Sequence, residues 1–438
     1  MGAFTLIWTG QVISLLGSGV VAFTLGVVIF RASGSVTRFA MLQLASALPF
    51  LLLSPLAGRL ADRFDRRLIL ILAQLGGGAV NLVLYRLVAD GDLTWWHAYP
   101  VVATSSAFAA FTVPTLGAAT TMLVAKEHLA RASGMLQMGA SLARIVAPFL
   151  GGMLLDVVSL PGIVVLNFAS YLIAASTLVL VRIPPPTPEQ RPASRPAPAA
   201  AEPAGREASA WRFIRRRPGL FYLLLLFAAL NFTIGMVQVL LAPMILSFAP
   251  PRTLGLVMSV AWSGTLIGGM VMTVWGGPQR RVPLILGVMA LQGALLMLGG
   301  LAPSAPLIAG AAFFFLLGMP FQIASTQAIW QRKTPPAMQG RVFAVRVMIG
   351  GSSIPLAQAL AGPLADEIFE PLMDEGGALA DSVGRLIGAG DGRGIALIYL
   401  LAGLFVLLLA VAAGRLRALR RLEEEIPDAV AGGEGGRR

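Results

Sequence analysis

Twelve apolar runs, each about as long as a bilayer-spanning helix, constrain this chain more than any other feature of its sequence. A helix that crosses the hydrocarbon core needs about 20 mostly apolar residues. The runs cover Phe4–Phe30, Phe39–Ala57, Leu68–Leu87, Tyr99–Val124, Ala132–Leu155, Pro161–Val181, Leu220–Leu246, Leu254–Trp275, Pro283–Leu301, Leu307–Trp330, Val342–Ala365 and Gly394–Ala413. Only 12% of the 438 residues are charged, against about a quarter in a soluble domain. The sequence predicts an all-α integral membrane protein with twelve spans.

The basic residues are distributed unevenly among the segments between these spans. If both termini face the cytoplasm, about 25 of the 33 Lys and Arg fall in cytoplasmic segments, and six fall at or near outer segments. Such an excess is what the positive-inside rule predicts. Basic side chains at the inner surface meet anionic lipid head groups. The net charge of +12 therefore points to the lipid bilayer as the partner, and no nucleic acid is expected.

A stretch rich in Pro, Ala and Arg interrupts the hydrophobic pattern after the sixth span. Its composition predicts an extended cytoplasmic linker over residues 183–219. The linker separates a six-helix bundle over residues 1–182 from a second bundle over residues 220–414, and residues 415–438 form a cytoplasmic tail. Within the linker, "WRFIRRR" (211–217) is expected to lie along the membrane surface, or simply to anchor the topology.

The two halves resemble each other at fixed offsets. At an offset of 210 residues, small residues of span 5 align with small residues of span 11, and at 218 the same holds for spans 1 and 7 and for the loops after spans 2 and 8. The aligned pairs are Ala147 with Ala357, Gly152 with Gly362, Gly17 with Gly235, and Gly58 with Gly276. These matches favour two pseudo-symmetric six-helix bundles, an arrangement typical of secondary transporters.

The loop after span 2 carries the most specific motif. It reads "GRLADRFDRR" (58–67) and resembles the signature loop of the major facilitator superfamily. The matching positions are Gly58, Leu60, Asp62, Arg63, Arg66 and Arg67. Asp65 stands where many members have glycine, and this variant resembles the branch of macrolide-efflux and enterobactin-exporter proteins. The resemblance implies the major facilitator fold.

The same resemblance implies a cytoplasmic gate. In the family the loop aspartate, here Asp62, binds the start of span 11, here near Gly340 and Arg341. Helix starts attract carboxylates because their exposed N–H groups carry partial positive charge. The alternative is that the loop arginines only set topology, although topology alone does not require Gly58 or the aspartates.

Span 5 carries a second resemblance, to the drug–proton antiporters. Their motif of glycines and one proline is matched here at identical spacing, with alanine at two glycine positions. The residues are Gly134, Ala143, Ala147, Pro148, Gly151 and Gly152. Small residues allow close helix packing, and Pro148 removes one helical hydrogen bond so that the helix can bend. A passive packing kink is the alternative.

In this family spans 1, 4, 7 and 10 line a central substrate cavity, and polar residues recur on these spans at helical spacing. Arg144 adds a charge within span 5, where arginine is costly unless it faces a cavity or a partner. The candidate cavity residues are Gln11, Ser14, Thr104, Phe108, Arg144, Asn231, Gln238, Gln322, Ser325 and Thr326. Polar side chains also hold helices together, so each residue has a structural alternative.

These features predict a secondary active transporter that exports a bulky, amphiphilic small molecule of antibiotic, peptide or siderophore type. The resemblance implies proton antiport with alternating access, although the 21 Asp and Glu include none in mid-span. Asp62, Asp156 and Asp366 are the span-end candidates for a proton carrier. An importer or a lysophospholipid carrier of the same fold remains an alternative.

Functions of another class have less support. The sequence contains no His-Glu-x-x-His, no Gly-x-Ser-x-Gly and no phosphate-binding loop, so we expect neither an intramembrane enzyme nor a metal or cofactor. A non-transporting scaffold does not explain the gating loop. The excess of Arg over Lys hints at a GC-rich bacterial genome and thus at the bacterial inner membrane. We expect a monomer.

Overall fold

The computed structural model describes residues 1–181 and 207–429, and over these ranges the protein is almost entirely helical. Twelve of the described helices are long and apolar enough to cross a membrane. Their number confirms the twelve predicted spans and the all-α membrane fold. The helices extend beyond the apolar runs by several residues, because polar and charged residues continue the helix at both ends of most spans.

The helices group into two compact units. The first contains the described residues before the gap together with Ala249–Ser259. Its six long helices are α1 (Gly2–Ser33), α2 (Val36–Arg63), α3 (Arg66–Ala89), α4 (Trp95–Leu123), α5 (Leu129–Val157) and α6 (Leu160–Leu180). A 3-10 turn over Lys126–His128 precedes α5.

The second unit contains the remaining described residues. Its helices are α7 (Glu207–Arg215), α8 (Pro218–Leu246), α9 (Pro251–Trp275), α10 (Arg281–Gly300), α11 (Ala305–Lys333), α12 (Pro336–Pro363), α13 (Glu370–Met373), α14 (Gly384–Ile387), α15 (Arg393–Arg415), α16 (Arg417–Arg420) and α17 (Leu422–Glu425). A π-helical turn over Leu364–Phe369 joins α12 to α13. The first turns of α9 belong to the first unit, and the rest of α9 belongs to the second.

The same helix order packs in both units. In the first, α1 contacts α5 and α6, while α3 contacts α4 and α6. In the second, α8 contacts α12 and α15, while α10 contacts α11 and α15. Counted as spans, these are the same four pairs. The repeated packing agrees with the duplicated six-span unit inferred from the sequence offsets.

Close crossings of small residues accompany these pairs. A Cβ atom added to Gly19 of α1 would lie 2.7 Å from the Cβ of Ala147 in α5. A Cβ added to Gly235 of α8 would lie 3.1 Å from the Cβ of Ala357 in α12. Ala147 and Ala357 are one of the pairs that align at an offset of 210. Small residues at equivalent crossings bring the helix backbones together in each unit.

Two segments, the predicted extended linker and the predicted cytoplasmic tail, contain helices that the sequence did not predict. Residues 182–206 of the linker region lie outside the described residues, but its last part forms α7, which buries Phe213 and Ile214 in the core of the second unit. The tail is also folded over its described part, where Leu419 and Leu422 are fully buried. In both segments apolar side chains at helical spacing dock on the bundle.

Candidate functional site

The signature loop is a short turn between two long helices. The chain leaves α2 after Arg63, and Asp65 precedes α3 as its N-cap, where its Oδ1 accepts from the Arg67 N–H at 2.8 Å. The carboxylate satisfies one of the backbone donors that a helix start leaves unpaired. Asp62 lies in the last turn of α2 and is exposed, as is Arg63.

The two arginines at the start of α3 bind neighbouring helices. Arg66 donates from Nη1 to the Ala118 carbonyl of α4 at 2.9 Å. Arg67 donates from Nε to the Leu178 carbonyl at 2.8 Å and from Nη2 to the Val179 carbonyl at 2.5 Å, both at the end of α6. The last carbonyls of a helix have no helical partner and carry partial negative charge. Arg67 therefore binds carbonyls at the end of α6, and Arg66 binds a carbonyl further inside α4. Together they join the start of α3 to both helices, a role that the sequence analysis did not anticipate.

Replacement of Arg67 by lysine is expected to lower the thermal midpoint of the detergent-solubilised protein. Lysine cannot reach two carbonyls with a planar fork, so about one charge-assisted hydrogen bond, ~1.5–3 kcal/mol, is lost. Arg63→Lys is the matched control, because Arg63 is exposed in the same loop. The thermal midpoints are measured by intrinsic fluorescence. Equal midpoints for the two variants would contradict the role of Arg67 in joining α3 to α6.

The remaining predicted gate residues are distributed over both units. Gly58 and Leu60 lie on the last turns of α2, and a Cβ added to Gly58 would meet no atom within 4 Å. Gly340 and Arg341 lie in the first turns of α12 in the second unit. Gly340 is exposed, and Arg341 donates from Nη2 to the Ala337 carbonyl of its own helix at 3.4 Å.

The span 5 motif forms one buried face of α5. Its buried members are Ala143, Ala147, Pro148, Gly151 and Gly152, whereas Gly134 is exposed with open space around it. A Cβ on Gly151 would lie 2.6 Å from the Phe23 ring of α1. Most of the motif therefore provides room for neighbouring helices. α5 remains a continuous helix through its proline.

The first turns of α9 cross α5 at this face, within the first unit. A Cβ on Gly152 would lie 2.8 Å from the Pro251 carbonyl oxygen, and one on Gly255 would lie 2.3 Å from the Pro148 carbonyl oxygen. Ser259 donates from Oγ to the Ile145 carbonyl at 2.6 Å, three residues before the proline. Gly255 and Ser259 were not predicted, although the spacing of small residues along α9 is a signal for such a crossing.

In the first unit, two predicted cavity residues hydrogen-bond to a third side chain. Gln74 of α3 donates from Nε2 to Oε1 of Gln11 at 2.8 Å and accepts from the Ser14 hydroxyl at 3.0 Å. All three are buried. Gln74 was not predicted as a functional residue. The only feature of the sequence that could have identified it is that it is a polar residue in the middle of a span. The network fixes α1 against α3.

The other predicted residues of the first unit are more open. Thr104 is exposed and donates to the Pro100 carbonyl of its own helix at 2.7 Å. Phe108 is half-buried, and its ring lies where a side chain on Gly76 of α3 would otherwise sit. Arg144 is exposed on α5. These three residues are therefore more exposed than the buried network around Gln74.

In the second unit, α11 presents a buried polar stripe. Gln322, Ser325 and Thr326 lie three and four residues apart and so share one helical face. They are 2%, 0% and 0% exposed, and within the described part of the chain Nε2 of Gln322, Oγ of Ser325 and Oγ1 of Thr326 have no hydrogen-bond partner. Buried polar groups are nearly always paired with protein, water or a ligand. The stripe is therefore a candidate for contact with a small molecule.

Two further predicted residues of the second unit lie on α8. Asn231 donates from Nδ2 to the Gly350 carbonyl of α12 at 2.9 Å, whereas Gln238, two turns along the same helix, is exposed. Asn231 thus holds two helices together. Gln238 leaves its amide accessible.

The carboxylates proposed as proton carriers lie at helix ends. Asp156 is exposed in the last turn of α5, and Asp366 is half-buried in the π-helical turn after α12. Glu370 was not predicted. Its carboxylate accepts from the N–H groups of Gly392 at 3.0 Å and Ile395 at 2.9 Å, which caps the start of α15. Among the described residues, no group of three or more His, Asp or Glu could hold a metal ion.

Comparison with known proteins identifies the family. The family model described as Major Facilitator Superfamily matches residues 7–358. This chain belongs to the Major Facilitator Superfamily. The membership makes it a multi-pass membrane transporter rather than an enzyme, which confirms both expectations from the sequence.

Relatives of this facilitator include named exporters. It is 28% identical to macrolide efflux protein A of Streptococcus pyogenes over 369 residues, which cover 83% of this chain and 90% of that protein. It is 25% identical over 351 residues to the enterobactin exporter EntS of Citrobacter koseri, which cover 78% and 80% of the two chains. These similarities confirm the resemblance to the efflux branch.

Solved structures of the same fold are more distant in sequence. An inward-facing, occupied bacterial homologue of the human lysosomal transporter Spinster matches with a TM-score of 0.67 at 15% identity, covering 93% of this chain and 94% of that chain. The nucleoside transporter NupG matches with a TM-score of 0.66 at 12% identity, covering 94% and 98%. At these identities the likeness concerns the fold alone.

Proposed function

We propose that this facilitator exports a bulky, amphiphilic small molecule from the cytoplasm by proton antiport with alternating access. The observation that carries the proposal is the pairing of a "DRFDRR" signature loop with the span 5 motif, in a chain whose relatives are named as efflux proteins. The names of those relatives suggest macrolide-like antibiotics and siderophores as the first compounds to test.

The residue types along α11 support an amphiphilic cargo. The polar stripe of α11 offers an amide and two hydroxyls, and aromatic residues 313–315 and Phe321 lie on the same helix. Binding sites for bulky organic molecules combine apolar walls with a few polar groups that fix orientation. We propose that Gln322, Ser325 and Thr326, which are buried in this conformation, contact the substrate in another conformation of the transport cycle, together with the accessible Gln238 of α8. In the first unit we propose the accessible Thr104 of α4 as a substrate contact.

Location and organisation follow from the charge pattern. We place the protein in the bacterial inner membrane with both termini in the cytoplasm, and we propose that it works as a monomer with a six-helix bundle on either side of the linker. Basic residues are in excess in the loops that follow the even-numbered spans, and this excess supports the orientation. Antibody-accessible tags at both termini and in the linker should all be reachable only from the cytoplasm; a tag on the outer face would overturn the orientation.

Transport by vesicles tests the function. Inside-out vesicles containing the protein are expected to accumulate a radiolabelled macrolide or enterobactin when the interior is acidified, and to release it when the proton gradient is collapsed. Vesicles without the protein are the control. Uptake that is independent of the gradient would contradict antiport, whereas gradient-driven movement in right-side-out vesicles only would favour an importer.

Arg144→Ala is expected to reduce the export of anionic compounds about tenfold while neutral compounds are exported nearly normally. The Arg144 side chain is charged and exposed on α5, so its guanidinium can attract an anionic group of the substrate. Arg131→Ala is the matched control on the first turn of the same helix, outside the proposed cavity. Equal losses for anionic and neutral compounds, measured as initial rates, would remove the binding role.

A further inference from the structure

The carboxyl-terminal segment folds back on the second unit. Residues 416–429, termed here the tail clamp, include α16 and α17, and their Leu419 and Leu422 side chains are fully buried in the core that α8, α10 and α11 share. A Cβ added to Gly219 at the start of α8 would lie 2.7 Å from the Ala418 carbonyl oxygen. The segment is therefore packed against the helices of the second unit.

One carboxylate of the clamp caps a transmembrane helix. Oε2 of Glu423 accepts from the N–H groups of Arg281 at 2.9 Å and Val282 at 3.1 Å, the first two residues of α10. The N-cap residue of α10 is Arg280, whose side chain makes no capping hydrogen bond. A helix start without an acceptor leaves several N–H groups unpaired. Glu423 supplies that acceptor from 142 residues away.

The corresponding helix of the first unit supplies its own cap. There the loop aspartate, Asp65, accepts from the Arg67 N–H. At the offset of 218 the signature loop (58–67) aligns with "GGPQRRVPLI" (276–285), where Arg280 and Pro283 stand in place of Asp62 and Asp65. The second copy of the loop thus contains no acid, and an acid of the tail accepts from the start of the corresponding helix instead.

A second set of contacts fastens the clamp to the end of α11. Lys333 is 6% exposed; its Nζ donates to the Glu423 carbonyl at 2.6 Å and to the Ile426 carbonyl. The Asp428 carboxylate lies 3.0 Å from this Nζ and 2.6 Å from Nη2 of Arg332. Partial burial raises the pKa of Asp428, but hydrogen bonds from Lys333 and Arg332 outweigh it and hold the pKa below its usual range.

We propose that the tail clamp supplies the capping acid that the second copy of the signature loop lacks, and that Glu423 and Asp428 are positioning residues for transport. By capping α10 and pairing with the end of α11, the clamp joins these two helix ends so that they move together. The clamp itself follows from the contacts, whereas its effect on transport rests on the proposed function.

Cysteine labelling tests the clamp without any transport assay. The chain contains no cysteine, so Leu422→Cys or Leu419→Cys introduces one buried thiol, and Arg420→Cys introduces an exposed reference. In the otherwise native chain the buried positions should react with maleimide at least about tenfold more slowly than Arg420→Cys. Equal rates would overturn the clamp at once, because a packed segment shields its inward side chains.

The capping residue is then replaced. Glu423→Ala is expected to raise labelling at position 422 about tenfold, since two hydrogen bonds to a charged acceptor are lost. Glu423→Gln should restore most of the protection, because its amide oxygen still accepts from N–H groups. Glu425→Ala, two residues along and exposed, is the matched control. If Glu423→Ala labels no faster than Glu425→Ala, the capping role is wrong.

Transport in vesicles then tests the positioning role. Glu423→Ala is expected to lower the maximal rate severalfold with KM unchanged, because Glu423 accepts from the start of α10 and so acts on helix movement and not on substrate binding. Glu423→Gln should recover the rate. Normal rates in a variant whose tail is exposed would refute the positioning role. Absence of transport by the native chain, with labelling as expected, would refute the proposed function and leave the clamp standing.

Discussion

Gly268→Leu is expected to prevent stable packing of the second unit. A Cβ at this position of α9 would lie 2.3 Å from the Leu317 carbonyl oxygen of α11, and one at Gly264, a turn earlier, would lie 2.2 Å from the Phe313 carbonyl oxygen. Both contacts are with backbone, which cannot rotate aside. Overpacking a tight interface costs about 1–3 kcal/mol or more, and a full leucine side chain forces the two helices apart.

The neighbouring glycine is the control for this prediction. A Cβ added to Gly269 meets no atom within 4 Å, so Gly269→Leu should leave the protein folded. Both variants introduce the same side chain, one residue apart. They therefore have the same composition and differ only in whether the new side chain meets the backbone of α11. The measurement is the fraction that remains monodisperse in detergent during heating, and similar losses for the two variants would contradict the proposed close crossing.

Asp62→Asn is expected to leave membrane insertion normal and to reduce export at least about tenfold. We base this prediction on the resemblance of residues 58–67 to the family's signature loop, which implies a gating role for Asp62. A hydrogen bond to a charged group contributes about 1.5–3 kcal/mol, which corresponds to roughly tenfold to a hundredfold in an equilibrium between conformations. The amide removes the charge without changing the shape, and export is measured in whole cells at matched protein levels.

The second aspartate of the loop separates gating from local folding. Asp65 caps α3, and asparagine caps helices about as well as aspartate. Asp65→Asn is therefore expected to export nearly normally. Unaltered export by Asp62→Asn would remove the gate assignment, and equal losses in both variants would assign the effect to the net charge of the loop instead.

Several features of the fold were predictable from local sequence. The twelve spans follow from hydropathy because the hydrocarbon core has a fixed thickness and every backbone polar group inside it must be paired within the helix. The duplicated packing order follows from small residues such as Ala147 and Ala357 that recur at a fixed offset. The family follows from the loop at 58–67, because its spacing of charged residues and glycine is specific.

The partners of individual side chains were not predictable. The spacing of Gln11 and Ser14 on one face of α1 predicted a cavity lining, but the spacing contains no information about Gln74 of α3, which binds both. Arg66 and Arg67 were expected to set topology or a gate, and their hydrogen bonds to carbonyls of α4 and α6 depend on which helices lie beside α3. Whether the predicted cavity residues bind substrate stays a prediction for the transport assays.

The sequence by itself determined that the protein lies in a lipid bilayer, how many spans it has and which family it belongs to. Spans can be recognised by their length and apolarity, and the family by a motif that is local in the sequence. Only the tertiary structure decided that Glu423 caps a helix that begins at residue 281 and that Lys333 is enclosed by the tail. Such contacts join residues about 90 to 140 positions apart. They depend on the packing of whole helices, which no short window of sequence contains.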